Sequence, residues 1–146
     1  KPFYHIYGGT QDNNTQRGES RTENSAGISN ADWDVVLGGD GHQPATEPGN
    51  PNIVYGQSQQ GWYSRIDLAT GERIGIRPQP SDGDGFERYN WDAPIVVSSH
   101  DPARVYVASH RLWRSDDRGD SWTPLSGDLT RNEERFELPI MGRKQR

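Results

Sequence analysis

The chain of 146 residues lacks cysteine entirely, and only 29% of its residues are hydrophobic. Without cysteine it can form no disulfide framework and no thiolate metal site. No run approaches the roughly 18 consecutive apolar residues of a membrane helix, so we expect no membrane insertion. The formal net charge of -5 argues against a general affinity for nucleic acid. No window shows sustained helical periodicity, which argues against a helical bundle.

What the chain has instead is turn formers and aromatic residues, with 17 glycines, 10 prolines, 5 tryptophans and 6 tyrosines. This composition is typical of many short strands joined by turns. Apolar and alternating runs between turn signals predict strands at 3–7, 17–22, 33–37, 52–57, 62–68, 72–76, 94–98, 104–109, 111–115 and 121–125. Residues 42–51 are expected to form a loop.

A turn motif, Ser-x-Asp-x-Gly-x-Ser-Trp, follows the strand predicted at 111–115. Its residues are Ser115, Asp117, Gly119, Ser121 and Trp122. The Asp117 carboxylate can accept hydrogen bonds from backbone N–H groups of its own loop, and Gly119 supplies a position with positive φ at low cost. Trp122 can fold its ring over the turn. We interpret these residues as a structural turn rather than as a catalytic or metal site.

The predicted strands repeat along the chain. Tyr55 and Tyr106 occupy equivalent places 51 residues apart, and Tyr7 precedes Tyr55 by 48 residues. A period near 50 residues with four short strands per unit is the signature of β-propeller blades.

We therefore predict an all-β fold that is a segment of a single β-propeller domain over residues 1–146. It would contain two full four-stranded blades, 33–76 and 94–125, with a partial blade at 1–22 and a lead into the next blade at 130–146. Known propellers close with roughly 4–8 blades, so this segment alone would leave strand edges and apolar faces exposed. We expect a fragment of a longer protein, or a chain that completes its ring with blades from other subunits.

Several segments carry a resemblance to a known family: 7–13, 34–41, 89–95, 100–102, 112–115 with the turn motif, and 138–142. They resemble the BNR/Asp-box repeat β-propeller proteins, in which the turn motif is the Asp-box. That family is similar to the sortilin-like and xyloglucanase-type propellers and to photosystem II assembly-factor propellers. The resemblance implies a propeller fold and a secreted, periplasmic or cell-envelope location. Because such propellers serve as enzymes, receptors and scaffolds alike, it implies no single activity.

Propeller geometry sorts the loops onto two faces. The Asp-box turn and the glycine-rich 38–41 segment are expected on one face, which favours a structural role for Asp40. The opposite face usually carries the ligand. The residues predicted to bind a ligand there are Asn13, Gln57, Trp62, Asn90, Trp91 and His110.

Two predicted segments, 32–33 and 90–92, place a tryptophan beside polar side chains at positions expected to be equivalent in two blades. Polar groups beside exposed aromatic rings suit the recognition of a sugar or a peptide. The alternative is that Trp33 and Trp91 pack between blades, which their repetition favours.

Hydrolysis of a glycosidic bond needs two carboxylates, one as acid and one as base or nucleophile. The catalytic candidates are Asp12, Asp32 and Asp92. The 82–85 segment resembles part of a calcium loop but lacks the later glutamate, and the four histidines show no metal spacing. We therefore predict no metal and no cofactor.

The leading functional hypothesis is a non-catalytic module that binds a carbohydrate or a protein, or serves as a scaffold. The alternative is part of a glycoside hydrolase, xyloglucanase-like or sialidase-like, that uses paired carboxylates. A third hypothesis is a purely structural part of a large assembly. The expected partners are a glycan or a protein and the remaining blades, with no nucleic acid and no membrane insertion.

Overall fold

The computed structural model describes residues 3–140 and 142–144, and almost all of their regular structure is antiparallel β-strand. Within those residues the strands form three sheets of three or four strands and one short hairpin, and no sheet closes on itself. The prediction of an all-β chain is confirmed. Residues 1, 2, 141, 145 and 146, which belong to the predicted partial blades at the two ends, lie outside the described residues.

The first sheet has three strands in the order β1–β2–β3: β1 (His5–Gly9), β2 (Thr15–Glu19) and β3 (Trp33–Leu37). The sequence predicts the bounds of β3 but assigns it to the wrong sheet, since the predicted blade 33–76 would begin with it. In the structure β3 pairs with β2, with Gly18 opposite Trp33 and Arg17 opposite Asp34. An ion pair supports this pairing, because Nη2 of Arg17 lies 3.0 Å from Oδ2 of Asp34.

The second sheet has four strands in the order β4–β5–β6–β7: β4 (Ala45–Glu47), β5 (Asn50–Ser58), β6 (Trp62–Asp67) and β7 (Arg73–Gly75). The prediction of residues 42–51 as a loop is wrong at its centre, where β4 forms. Pro44 and Pro48 flank this three-residue strand, and Pro51 lies within β5. Gly49, at φ 80°, returns the chain sharply into β5.

The third sheet has four strands in sequence order: β8 (Ile95–Val97), β9 (Val105–Ala108), β10 (Leu112–Ser115) and β11 (Thr123–Pro124). Each of them lies within a strand that the sequence predicts. The remaining elements are 3-10 helices at Asn30–Asp32, Gln59–Gly61 and Arg135–Glu137, and a hairpin of β12 (Pro139–Ile140) and β13 (Arg143–Lys144).

One cross-strand pair recurs in all three large sheets, a tyrosine directly opposite an arginine. The pairs are Tyr7 with Arg17, Tyr55 with Arg65, and Tyr106 with Arg114. Because side chains alternate between the two sides of a strand, these pairs mark the same face of each sheet. We call it the tyrosine face. The repeat makes the three sheets equivalent units in the same orientation.

The second and third sheets pack face to face, and a cluster of buried hydrophobic side chains lies between them. Tyr55 and Tyr63 of the second sheet are 0% and 1% exposed, and Val107 of the third is 1% exposed. Burying an apolar side chain such as that of Val107 stabilises the fold by roughly 1.5–3 kcal/mol. The Tyr63 hydroxyl also lies 3.0 Å from the carbonyl oxygen of Pro94 and 3.2 Å from that of Ala108. The tyrosine face of the second sheet is thereby fixed to the third sheet.

The first sheet packs on the other face of the second sheet through a smaller contact. Gly56 lies so close to Leu37 that a Cβ at Gly56 would be 2.9 Å from Cδ2 of the leucine. Nη2 of Arg73 donates to the carbonyl oxygen of Val36 at 2.8 Å. The three sheets therefore lie in a row, with the second in the middle.

The Asp-box turn docks the third sheet onto the second. Arg118 makes a two-fold contact with the buried Glu47, from Nε to Oε2 at 2.6 Å and from Nη2 to Oε1 at 3.0 Å. The indole N–H of Trp122 donates to the carbonyl oxygen of Ile76 at 2.8 Å. Gly119, at φ 93°, lies under Ile76, where a Cβ would be 2.8 Å from the isoleucine Cβ. The turn thus joins two sheets as well as two strands.

Gly119→Ala is expected to destabilise the fold more than Gly71→Ala. Both glycines have positive φ, but a Cβ at Gly71 would meet nothing within 4 Å. Strain alone costs about 1 kcal/mol, and the clash with Ile76 brings the loss for Gly119→Ala to about 3 kcal/mol. Urea unfolding of both variants measures the difference. Equal losses would show that the turn does not press on the second sheet.

Candidate functional site

The segments that join the strands gather at two opposite ends of the stacked sheets, because successive connections in an antiparallel sheet alternate between its ends. One end, which we call the loop end, carries the segments 10–14, 38–44, 59–61, 76–94 and 109–111. The other, the Asp-box end, carries the Asp-box turn and the segments 20–32, 68–72 and 98–104.

Asp40 is the buried carboxylate around which the loop end is organised. The residue is 7% exposed. Its Oδ1 accepts from the backbone N–H of Asp12 at 3.0 Å, and its Oδ2 accepts from the indole N–H of Trp91 at 3.1 Å. The sequence places 38–41 on the Asp-box face because it treats 33–37 as the first strand of a blade. That placement of Asp40 is wrong, since the strand is the last of its sheet and leads out at the loop end.

Trp91 keeps 49% of its surface exposed although its indole N–H is bonded. Its carbonyl oxygen accepts from the backbone N–H of Gln60 at 3.0 Å and from Nε2 of Gln57 at 3.2 Å. The ring is therefore held at both its edge and its backbone. A rigid, half-exposed aromatic face of this kind can pack against the apolar C–H patches of a sugar ring.

Gln57 is 0% exposed, so its side chain holds the Trp91 segment rather than facing solvent. Its Oε1 accepts from the backbone N–H of Ala93 at 3.2 Å, and its Nε2 also donates to the carbonyl oxygen of Ser58. These contacts make Gln57 a positioning residue for Trp91, where the sequence predicts a ligand-binding one.

Asp92 and His42 form a second polar pair at the loop end, with 3.5 Å between Oδ1 and Nδ1. The Asp92 side chain is 59% exposed and that of His42 is 11% exposed. His42 Nε2 is buried and has no hydrogen-bond partner among the described residues. The pair places an exposed carboxylate next in sequence to the Trp91 ring.

Asp12 and Asn13 lie exposed in the tight turn at 10–14. Asp12 has φ 64°, a left-handed conformation that aspartate tolerates better than most residues. The neighbouring Asn14 ties the turn to the next segment, because its Oδ1 accepts from the backbone N–H of Gly39 at 3.2 Å. Asp12 and Asn13 present polar groups at the loop end, and Nδ2 of Asn13 also donates to the carbonyl oxygen of Gln11 at 3.2 Å.

Trp62 is 59% exposed and also lies at the loop end. The Arg77 guanidinium carbon lies 4.9 Å from the centre of the Trp62 ring and 4.5 Å from that of Tyr89. The cation is thus held between two aromatic rings. Burial raises the pKa of the Tyr89 hydroxyl to about 12, and that hydroxyl donates to the carbonyl oxygen of Pro78 at 3.2 Å.

Asn90 and His110, the remaining predicted ligand-binding residues, are engaged in internal contacts. Asn90 Oδ1 accepts from the backbone N–H of Trp91 at 2.9 Å. The His110 side chain is 11% exposed, and its Nδ1 accepts from the backbone N–H of Arg88 at 3.1 Å. Both lie at the loop end. Asn90 is exposed to solvent and bonds only its own segment through Oδ1, whereas His110 is mostly buried and shapes the 76–94 segment.

Glu87 anchors the same segment to the third sheet. Its side chain is 3% exposed and accepts from Nη2 of Arg111 at 2.5 Å, from the indole N–H of Trp113 at 2.9 Å and from the Ser109 hydroxyl. Burial opposes ionisation, yet these hydrogen bonds hold the pKa of Glu87 below its usual value. The carboxylate is therefore a structural anion.

Asp32 lies at the Asp-box end, apart from Asp12 and Asp92. It accepts from the backbone N–H of Ser29 at 2.7 Å, then from the serine hydroxyl at 2.9 Å, and both bonds lower the pKa of Asp32. The length of β3 separates the two ends by about 13 Å, beyond the roughly 9.5 Å that paired glycosidase carboxylates tolerate. The expected equivalence of Asp32 with Asp92 is wrong because β3 is a last strand and β8 a first one.

Asp117 closes the Asp-box turn with its own neighbours. Its Oδ1 accepts from the Ser115 hydroxyl at 2.7 Å and from the backbone N–H of Ser121 at 2.9 Å, and its Oδ2 accepts from the Ser121 hydroxyl at 2.5 Å. The Ser115 oxygen in turn accepts from the N–H of Gly119 at 2.7 Å. The bonds from Ser121 and then Ser115 lower the pKa of Asp117 to about 2. Every polar atom of this carboxylate serves the turn.

Sequence reasoning placed Asp40 at the wrong end of the sheets and missed two further residues of the loop end, His42 and Arg77. The Gly-Gly-Asp-Gly run around Asp40 is a visible signal, but its meaning depends on the sheet to which β3 belongs. His42 lies 50 residues from Asp92, and Arg77 resembles any surface arginine, so no local signal marks either.

No family model matches this chain, and no curated protein matches it either. The resemblance to the BNR/Asp-box propellers therefore stays a prediction. Among the described residues, no group of three or more His, Cys, Asp or Glu side chains could hold a metal ion. Over the same part of the chain, no helix has the length and apolarity needed to cross a membrane.

Asp117→Asn is expected to destabilise the fold at neutral pH and progressively less in acid. The folded-state pKa of about 2 lies below the ordinary 3.8, so the carboxylate contributes fully above about pH 4 and loses its contribution as the pH falls towards 2. Urea unfolding of the wild type and of Asp117→Asn, from neutral pH to about pH 2.5, measures the gap between their free energies of unfolding. Asp82→Asn, at an exposed aspartate, is the control. A gap that is constant over this range would contradict the assignment.

Proposed function

We propose that this chain is a non-catalytic, carbohydrate-binding part of a β-propeller and that the loop end is its binding surface. The observation that carries the proposal is the state of Trp91, whose ring is half exposed while Asp40, Gln57 and Gln60 fix its edge and backbone. A side chain that is already ordered loses little conformational entropy on binding, which favours affinity for a stacked ring.

Polar groups suited to sugar hydroxyls surround that ring. Asp92 follows Trp91 directly, and Asp12 donates its backbone N–H to the same Asp40 carboxylate that holds the indole. Asn13 adds an exposed amide beside Asp12. Trp62 offers a second exposed aromatic face. Because the exposed carboxylates would repel an anionic sugar, the preferred ligand is a neutral glycan.

A hydrolytic role is less well supported by the geometry. Asp32 lies at the other end of the sheets, and both carboxylate oxygens of Asp40 are occupied by protein donors. Asp12 and Asp92 are exposed to water, in contrast to the apolar pocket that keeps the acid residue of a glycosidase protonated. The loop end therefore fits binding better than bond cleavage.

The propeller part of the proposal rests on the row of equivalent sheets. Each follows its strands in sequence order, each carries the tyrosine–arginine pair at the same place, and neighbouring sheets pack face to face. Repetition of such units about an axis is the architecture of a propeller. A glycan-binding role also fits the secreted or cell-envelope location that the resemblance implies.

Trp91→Ala is expected to weaken binding to a neutral polysaccharide at least tenfold, a loss of about 1.4 kcal/mol in binding free energy. The comparison uses a panel of neutral and acidic glycans and isothermal titration of the best ligand. Trp33→Ala, which removes a ring that is 39% exposed and away from the loop end, is the matched control and should leave affinity within about twofold.

The same titration mixtures are then assayed for new reducing ends. Binding without cleavage supports the proposal, whereas cleavage that Asp12→Asn or Asp92→Asn abolishes would replace it with the glycosidase hypothesis. Failure to bind any neutral glycan, or equal losses in the two tryptophan variants, would refute it.

A further inference from the structure

We infer that the two outer faces of the row of sheets fit each other, so that a second copy of this chain docks its first sheet onto the third sheet of the first copy. This inference concerns the sheet faces and is independent of glycan binding at the loop end.

The tyrosine face of the third sheet is the outer face at one end of the row. Val96 lies directly opposite Tyr106, which lies opposite Arg114, so the three side chains share that face. Val96 is 57% exposed. In the second sheet the corresponding face, with Tyr55 and Arg65, is covered by the third sheet. The third sheet therefore repeats this docking face, which is exposed at Val96 and half-buried at Tyr106 and Arg114.

The outer face at the other end of the row belongs to the first sheet. Ile6, Trp33 and Val35 are 47%, 39% and 58% exposed and lie on the side away from Tyr7. Together with Gly8 they line a mainly apolar groove of about 470 Å³. The corresponding side of the third sheet carries Val107 and is buried against the second sheet. A contiguous apolar patch at this place is typical of an interaction surface.

The contact between the first and second sheets and that between the second and third sheets, the two inner contacts, show which faces of these sheets pack together. In both, the tyrosine face of one sheet packs against the opposite side of the next sheet in the row. The outer tyrosine face, around Tyr106, and the outer opposite side, around Trp33, are the two halves of the same kind of contact, made on the first sheet by three strands because that sheet has no counterpart of β8 among the described residues. A second copy presents both halves in the same orientation. The resulting contact is head to tail, joining two different patches of identical chains.

The charged side chains at the contact between the second and third sheets also support docking of a second copy. Arg65 on the tyrosine face of the second sheet donates to the carbonyl oxygen of Arg118 at 2.8 Å and to Oδ1 of Asp120 at 2.9 Å, both in the turn of the following sheet. Arg114 is the equivalent arginine of the third sheet. Nη2 of Arg114 pairs with Oδ2 of Asp116 in its own turn at 3.1 Å, and its buried Nε has no hydrogen-bond partner among the described residues. The 20–32 segment holds the place of that turn in the first sheet and carries Glu23 and Asp32, so a docked copy brings further carboxylates to the same arginine.

The absence of cysteine makes the contact measurable by cross-linking. Ile6→Cys places a single thiol on the outer face of the first sheet, and Val96→Cys places one on that of the third. A flexible bifunctional maleimide is added to each variant alone and to an equal mixture. The mixture is expected to give at least about fivefold more cross-linked dimer than either variant alone, because position 6 of one copy faces position 96 of another.

Controls decide between this contact and other associations. Ser81→Cys, an exposed serine of the 76–94 segment, should give no enriched dimer with either variant. In sedimentation velocity the wild-type chain should associate with rising concentration, and Val96→Asp or Val35→Asp should abolish that association while leaving the far-ultraviolet circular dichroism unchanged. A monomer at every concentration, which would leave these faces to a different polypeptide, or dimer yields that are equal with and without mixing would overturn the inference.

Discussion

The face-to-face packing of the second sheet on the third is the contact on which the rest of this structure depends. Tyr63 stands at its centre. Its buried hydroxyl lies against the carbonyl oxygens of Pro94 and Ala108, and its ring meets that of Tyr89 edge to face, with centroids 6.1 Å apart. Tyr89 then stacks on Arg77. The aromatic side chains at the loop end are therefore held in place by their contacts with the buried core.

Gln57 connects the same core to the candidate site through hydrogen bonds. An amide buried without partners would be costly, and this one is satisfied by bonding the backbone of Trp91, Ala93 and Ser58. The amide thus fixes the entry of the chain into the third sheet and the orientation of the exposed ring by one set of contacts. This coupling explains why the loop end combines exposure to solvent with a defined geometry.

Sequence patterns predicted what short-range chemistry decides. Apolar alternation located ten of the strands, and the Asp-box spacing predicted that Asp117 closes its own turn, since both depend on neighbours in sequence. Local sequence patterns could not predict contacts between residues that lie far apart in the chain. The strand β3 joins the first sheet through contacts such as Arg17 with Asp34, and Asp40 bonds an indole 51 residues away. Because β3 was assigned to the wrong sheet, Asp40 was placed at the wrong end of the sheets. The same error led to Asp32 being treated as equivalent to Asp92.

The segment between the second and third sheets is held by buried contacts at both of its ends and is exposed to solvent in its middle. The carbonyl oxygen of Ile76 is held by Trp122, and the N–H of Ala93 is held by Gln57. Between these points Phe86 is 93% exposed, and residues 81–86 are all exposed to solvent. One exposed ion pair lies within this stretch, with 3.1 Å between Nη1 of Arg111 and Oδ2 of Asp84. Because the buried anchors lie outside it, its length can vary with little effect on the sheets that it joins. It is a natural place for an inserted peptide, and for sequence drift that leaves the fold unchanged.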